Sequence, residues 1–271
     1  MELKLKNITY RRENHTYLDN ISYTFEKEKI NLIIGPSGSG KSILTKIIMG
    51  LEKDYDGNIL LENKKIDNLL DIPFKVGYAF QKSSYSFFNE TVYKELEFGL
   101  NKYKYRLSKK DKQIKDSLKI VGLSEDYLKL NPFKLSYGEQ SLLALAIILS
   151  FNPKIIILDE PFIGLDNKNK KNIGNILIKL VRRYHKTIIF TSSFANYSLK
   201  IADNILVLNN GKIVVEGTKK KVLKKGSIFK ENNIDIPPII EFVDYVRKEK
   251  HISLEYTLDI KDLIKDIYRH V

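Results

Sequence analysis

Residues 30–42 read Ile30-Asn31-Leu32-Ile33-Ile34-Gly35-Pro36-Ser37-Gly38-Ser39-Gly40-Lys41-Ser42: a compact apolar run that enters a glycine-rich turn. The apolar-rich segment Ile43 to Met49 follows directly. The order is strand, loop, helix, and the loop fits the spacing G-x-x-x-x-G-K-[ST]. Glycines let backbone N–H groups turn inward around phosphate oxygens, and the N-terminus of the following helix adds partial positive charge. Lys41 has the reach for β- and γ-phosphates, and the Ser42 hydroxyl suits a Mg²⁺ ligand. Gly35, Ser37, Gly38, Ser39, Gly40, Lys41, Ser42 and Ile43 are therefore the candidate contacts of a nucleoside triphosphate.

Working outward, Leu3 to Phe25 alternates around a polar tip at Arg11 to Thr16 and reads as a hairpin. Val76 to Phe80, Ile155 to Leu158 and Thr187 to Phe190 read as short buried strands, and the polar segment 167–185 as a helix between the last two. Ile205 to Leu208 and Lys212 to Val215 flank the hairpin turn Asn209-Asn210-Gly211. Residues 90–150 carry helical spacing. Strands alternating with helices imply an α/β fold with a mainly parallel central sheet, here joined by an antiparallel β subdomain and a helical subdomain over about 85–150. The composition shifts after Gly217. The lysine-rich stretch 219–225 reads as a solvated connector. Beyond it, Ile239, Phe242, Val243 and Val246, then Ile260, Leu263, Ile264 and Ile267, mark two amphipathic helices, with Pro237-Pro238 starting the first and Thr257 the expected N-cap of the second. The chain divides on this reading into a nucleotide-binding domain, 1–218, and a helical extension, 219–271.

Composition narrows the function. Hydrophobic residues are 43% and charged residues 29%, which excludes a collagen-like or fully disordered chain. The absence of cysteine excludes disulfides, thiolate metal sites and cysteine nucleophiles. The longest wholly apolar run, Leu142 to Leu149, is too short to cross a bilayer, and the N-terminus has no secretory core, so the expectation is a soluble chain that meets the membrane through a partner. Lys plus Arg (46) exceeds Asp plus Glu (33) by 13, which favours an anionic partner. The basic stretch 102–119 reads either as a solvated helix face or as a surface near anionic lipid.

Two further motifs carry chemistry. Lys154 to Glu160 is an apolar strand ending in two carboxylates, at the strand edge where open α/β sheets place ligands. Asp159 there suits Mg²⁺ held through water, and Glu160 suits the group that orients or deprotonates an attacking water. Leu135-Ser136-Tyr137-Gly138-Glu139-Gln140 lies between the phosphate loop and this strand.

The order of phosphate loop, Gln81, Leu135 to Gln140, Ile157 to Pro161 and Gly164-Leu165-Asp166 resembles the nucleotide-binding subunit of ATP-binding cassette transporters. The resemblance implies that Ser136 and Gly138 touch the γ-phosphate bound by a second subunit in a head-to-tail dimer. It implies that Gln81 reaches Mg²⁺ and senses a transmembrane partner, and that Asp166 couples the two sites. Thr91 to Leu100, and the tail from Phe229 through Ile234-Asp235-Ile236-Pro237 to Asp262-Leu263, resemble the ATPases of energy-coupling factor importers for vitamins and transition-metal ions. Such a chain works at the cytoplasmic face of the membrane, with a second ATPase, a transmembrane scaffold protein and a substrate-binding membrane component.

Four departures from the family pattern bear on activity. Ser193 falls where the family has a histidine at the γ-phosphate, and a hydroxyl cannot supply an imidazolium. Slow hydrolysis at this chain's own loop, and pairing with an unlike ATPase, follow as expectations. Tyr137 stands where glycine is usual, and Leu142 where arginine is common. The adenine-stacking position falls at Arg12, two residues beyond Tyr10, and an arginine can also stack on a base. Two other readings remain: a clamp that binds ATP while the partner hydrolyses, and a nucleic-acid-associated cassette ATPase. The short spacing from Lys41 to Ser136 leaves no room for the coiled coil of chromosome-maintenance relatives, so no nucleic-acid partner is expected.

Overall fold

The computed structural model describes residues 1–66, 75–102 and 109–270. The chain opens on the expected hairpin, β1 (Leu3–Arg12) and β2 (His15–Phe25), which reverses at Glu13 and Asn14, both at positive φ. Then come β3 (Ile30–Ile34), α1 (Lys41–Ile48), β4 (Tyr55–Leu61) and β5 (Lys64–Ile66). The order β2-β1-β4-β5 makes an antiparallel sheet. β4 and β5 have no counterpart among the expected strands; Asp56, Gly57 and Asn58 of β4 are residue types depleted in strands. Pairing imposes the strand: Leu3 faces Leu61 and Leu5 faces Ile59 across β1. Gly57 sits at the register shift in this ladder with φ 109°, where a Cβ would lie 2.5 Å from the Asn7 carbonyl oxygen.

The second half supplies β6 (Val76–Ala79), α2 (Val92–Lys102), α3 (Lys110–Val121), α4 (Tyr137–Ser150), β7 (Ile155–Leu158), α5 (Asn167–Tyr184), β8 (Thr187–Ser192), α6 (Ala195–Ile201), β9 (Asn204–Asn209) and β10 (Lys212–Thr218). The central sheet runs β10-β9-β3-β8-β7-β6, parallel throughout except for the β9–β10 hairpin. Parallel strands covered on both faces read as continuous apolar runs, and every residue of β3, β7 and β8 is buried. The alternation within β3 sorts two cores. Ile33 packs with Leu44, Ile47 and Ile48 of α1 and with the antiparallel sheet. Leu32 and Ile34 face the other way, toward α4 and α5.

The stretch 102–119 falls partly outside the described residues, at 103–108. Within α3, Ile114, Leu118 and Val121 enter the core while Lys112, Lys115 and Lys119 are exposed. The expected solvated connector over 219–225 is corrected: α7 (Lys219–Leu223) is a helix capped by Thr218, with Val222 and Leu223 buried. Those two apolar residues are a short hydrophobic anchor that the surrounding lysines hide from a charge-based reading. The extension continues through α8 (Ser227–Glu231), α9 (Pro238–Glu249) and α10 (Ile260–Ile267). Ile234, Ile236 and Ile240 join the main core, so this segment packs against the chain's own cassette. Asp259, not Thr257, caps α10, accepting from the Lys261 amide at 2.8 Å, while the Thr257 hydroxyl accepts from the Asp259 amide two residues too early. No helix among the described residues is long and apolar enough to cross a membrane.

Gly77 on β6 lies flat against Ile148 of α4 and leaves no space for a methyl group. Gly77→Ala is expected to lower unfolding stability by about 1–3 kcal/mol through overpacking. Chemical denaturation would read this as a lower midpoint at unchanged slope.

Candidate nucleotide site

The parallel register places three chain segments side by side. Ile34 pairs with Ser192, and Leu158 with Phe190, so the residues just past β3, β7 and β8 emerge at one edge. Past β3 the chain turns tightly. A Cβ on Gly35 would run into the Leu208 carbonyl, and Gly40 closes the loop at φ 104°. Gly40 is also the N-cap of α1 and offers no side chain, so the amides of the first turn have no capping oxygen from it. Gly38, also at positive φ, has open space above it.

Lys41 is buried and folded back over the loop, its ammonium donating to the carbonyls of Gly35 at 2.8 Å and Pro36 at 2.9 Å. Its Nζ lies 3.7 Å from Glu160 Oε1. Burial pushes the lysine pKa down, and the Glu160 and Asp159 carboxylates oppose that shift. The Ser39 hydroxyl is buried with no hydrogen-bond partner. An orphaned buried hydroxyl costs free energy, and a phosphate oxygen in the loop would satisfy it.

Across the cleft, Asp159 Oδ1 accepts from the Thr191 hydroxyl at 2.6 Å and from the Ser42 hydroxyl at 3.3 Å. Thr191 also accepts the Glu160 amide at 2.8 Å. Glu160 is buried at φ 49°, and its carboxylate takes two bonds from Ser193: the amide to Oε2 at 3.0 Å and the hydroxyl to Oε1 at 2.5 Å. The cleft, about 390 Å³, is lined by Ser37 through Ile43 together with Gln81, Glu160 and Ser193, and also by Tyr17, Ile163 and Phe194. Among the described residues no cluster of three or more His, Asp or Glu side chains could hold a metal unaided. That donor set suits Mg²⁺, which takes one or two protein oxygens and completes its shell with phosphate and water.

Of the expected site residues, Gly35 and Asp159 sit just behind this lining, bonded to Lys41 and to Ser42, and four others lie apart from it. Ser136 caps α4, accepting from the Glu139 amide while its own hydroxyl donates to Glu139 Oε2 at 2.7 Å. Gly138 is pressed against Asn169, leaving no room for a Cβ. Asp166 caps α5 through Oδ1, which accepts from the Asn169 amide at 2.7 Å. Arg12 is exposed at the hairpin end beside Glu13. Tyr137 closes over Gly164, and its hydroxyl reaches the Gln81 carbonyl at 3.4 Å, so this bulky residue ties three loops together. Leu142 is buried in the main core.

Two residues escaped the sequence reading. Thr191 is a buried hydroxyl-bearing side chain one residue before the end of β8, and a polar residue at the edge of an apolar strand was the available signal. Tyr17 lines the cleft from β2, with its ring edge-on to His15 at 4.5 Å and tilted to Tyr10 at 6.0 Å. Base stacking on an aromatic ring is worth about 1–3 kcal/mol, so Tyr17→Ala is expected to weaken ATP binding by about tenfold. Arg12→Ala is expected to leave it unchanged; titration with a fluorescent ATP analogue reads both.

Comparison with known proteins agrees with this geometry. The model of the ABC transporter family matches residues 18–163. The energy-coupling factor transporter ATP-binding protein EcfA2 of Caldanaerobacter subterraneus subsp. tengcongensis is 33% identical, over 100% of this chain and 98% of that protein. The structure of cbiO1 from Clostridium perfringens, part of the ABC transporter complex cbiONQ, superposes with a TM-score of 0.77 at 27% identity, covering 89% of this chain and 98% of that one. The dimeric ATP-binding cassette MJ0796, bound to ADP and Pi, superposes at 0.71 with 30% identity, covering 80% of this chain and 98% of that one. With the phosphate loop, the paired carboxylates and the two-sheet cassette all in place, the chain belongs to the ABC transporter family, as an ATP-binding subunit.

Proposed function

We propose that this chain is one of two unlike ATPases in an energy-coupling factor importer for vitamins or transition-metal ions. The observation that carries this reading is the extent of the likeness. Alignment with the EcfA2 protein runs through the tail as well as the cassette. The cbiO1 protein, part of the ABC transporter complex cbiONQ, supports it from structure, with the likeness covering 89% of this chain. In this reading the chain sits at the cytoplasmic face of the membrane, against a transmembrane scaffold and a substrate-binding component. Ser136 and Gly138 then face the nucleotide of the second ATPase, and Asp166 links the two sites.

At the chain's own cleft, Lys41, Ser39 and the amides of the loop and of α1 bind the triphosphate. Ser42, Asp159 and Gln81 are the oxygens that would hold Mg²⁺, which supplies neutralising charge at the β- and γ-phosphates when bound. Glu160 accepts a proton from the attacking water as the water oxygen bonds to the γ-phosphorus. The bond from that phosphorus to the bridging oxygen breaks, and ADP leaves with the electron pair. Thr191 fixes Asp159 and the Glu160 backbone relative to each other. Ser193 offers no imidazolium to the γ-phosphate, so turnover at this site is slow.

Glu160→Gln in the assembled complex is expected to cut hydrolysis at this cleft by about 100-fold, lowering total turnover by the share this cleft supplies, while ATP still binds. Unchanged turnover would place catalysis in the partner and make this chain the clamp subunit. The importer assignment is checked by affinity purification of the tagged chain from detergent-solubilised membranes. A second cassette ATPase and a small membrane scaffold are expected to co-purify, and recovery of the chain as a homodimer with an exporter-type membrane domain would contradict it.

A further inference from the structure

Glu160 leaves β7 in a left-handed conformation, φ 49°, which few non-glycine residues adopt. Something must hold its buried carboxylate where the reaction needs it. Lys41 contributes charge from 3.7 Å but directs its hydrogen bonds to Gly35 and Pro36. Directional contact with the carboxylate comes from Ser193, whose amide and hydroxyl engage one oxygen each.

Ser193 is itself held. The neighbouring Ser192 hydroxyl donates to the Phe194 carbonyl at 2.9 Å and accepts the Phe194 amide at 3.1 Å, and it receives the Ser198 hydroxyl from α6 at 2.8 Å. The turn 192–194 is thus stapled to a buried helix residue on one side and to Glu160 on the other. Thr191, two residues earlier, holds the Glu160 amide. One strand end therefore grips Glu160 at both backbone and carboxylate.

We infer that Ser193 is a positioning residue for Glu160: it orients the carboxylate toward the attacking water and does not act as a weak substitute contact to the γ-phosphate. A carboxylate oxygen can accept two hydrogen bonds. Oε2 carries the Ser193 amide alone among the described contacts, so an acceptor position remains on it for water. The hydroxyl spends its proton on Glu160, and in that orientation it has none to give a phosphate oxygen. This assignment rests on Glu160 being the group that takes the proton.

The test compares Ser193→Ala and Ser193→Thr with the unaltered chain in the assembled complex, reading turnover, ATP affinity and thermal midpoint. Ser193→Ala keeps the amide contact and loses the hydroxyl. It is expected to lower kcat by about tenfold, the loss of one hydrogen bond to a charged group, with ATP affinity and thermal midpoint unchanged. Ser193→Thr restores most of the loss, because Ser193 is partly exposed and a methyl group has room. In a Glu160→Gln background, Ser193→Ala is expected to add no further loss, as for two residues acting as one unit. Unchanged kcat in Ser193→Ala, or a fall in ATP affinity matching the fall in turnover, would overturn the positioning role. A lower thermal midpoint with no rescue by threonine would do the same. If Glu160→Gln alone leaves turnover intact, the catalytic reading of Glu160 fails instead, and that outcome is separable from the others.

Discussion

The cleft exists because β3, β8 and β7 lie parallel and adjacent, with their C-terminal ends at one level. That register brings a buried ammonium, Lys41, to 3.7 Å from a buried carboxylate, Glu160. Neither group is held by the other alone. Lys41 is solvated by loop carbonyls, and Glu160 by an amide and a hydroxyl from the end of β8. Burying two opposite charges is costly unless each is hydrogen-bonded, and the cost of removing one leaves the other stranded. The strands around them are buried on both faces, so a slip of one residue would misplace both groups and exchange side chains between the two cores.

The sequence carried much of this in plain form. A phosphate loop between a buried strand and a helix, and a strand ending in Asp159-Glu160, are local patterns whose chemistry dictates their residue types. The parallel sheet followed from short apolar runs alternating with helical segments. What was not legible depends on contacts distant in sequence. β4 and β5 become strands only through β1, since Asp56, Gly57 and Asn58 favour a turn on their own. Lys219 to Leu223 becomes a helix because Val222 and Leu223 find a core. Tyr17 was missed because counting along the chain placed the stacking position at Arg12, whereas folding of the hairpin puts the following strand over the cleft. Thr191 was missed because the apolar run ends at Phe190, whereas pairing with β3 extends the strand to Ser192.

The same physics distinguishes the two ends of the molecule. At the phosphate loop, Ser39 is buried without a partner and α1 has no side-chain cap, so the loop offers donors to an anion. At α4 the opposite holds. Ser136, Glu139 and Tyr127 satisfy one another, and the helix N-terminus is closed by a capping box. Tyr127 and Ser136 hold the Glu139 carboxyl below its usual range, so it remains charged. Tyr137 adds a ring over Gly164.

One cleft at the ends of β3, β7 and β8 presents the phosphate loop, with Glu160 held beside it by Ser193. A crystal structure of the chain with Mg²⁺ and a non-hydrolysable ATP analogue tests it most directly. Phosphate oxygens are expected against Ser39, Lys41 and the first turn of α1, with the base over Tyr17 and the Ser193 hydroxyl still on Glu160. A triphosphate outside this loop, or Ser193 turned away from Glu160 onto the γ-phosphate, would contradict it.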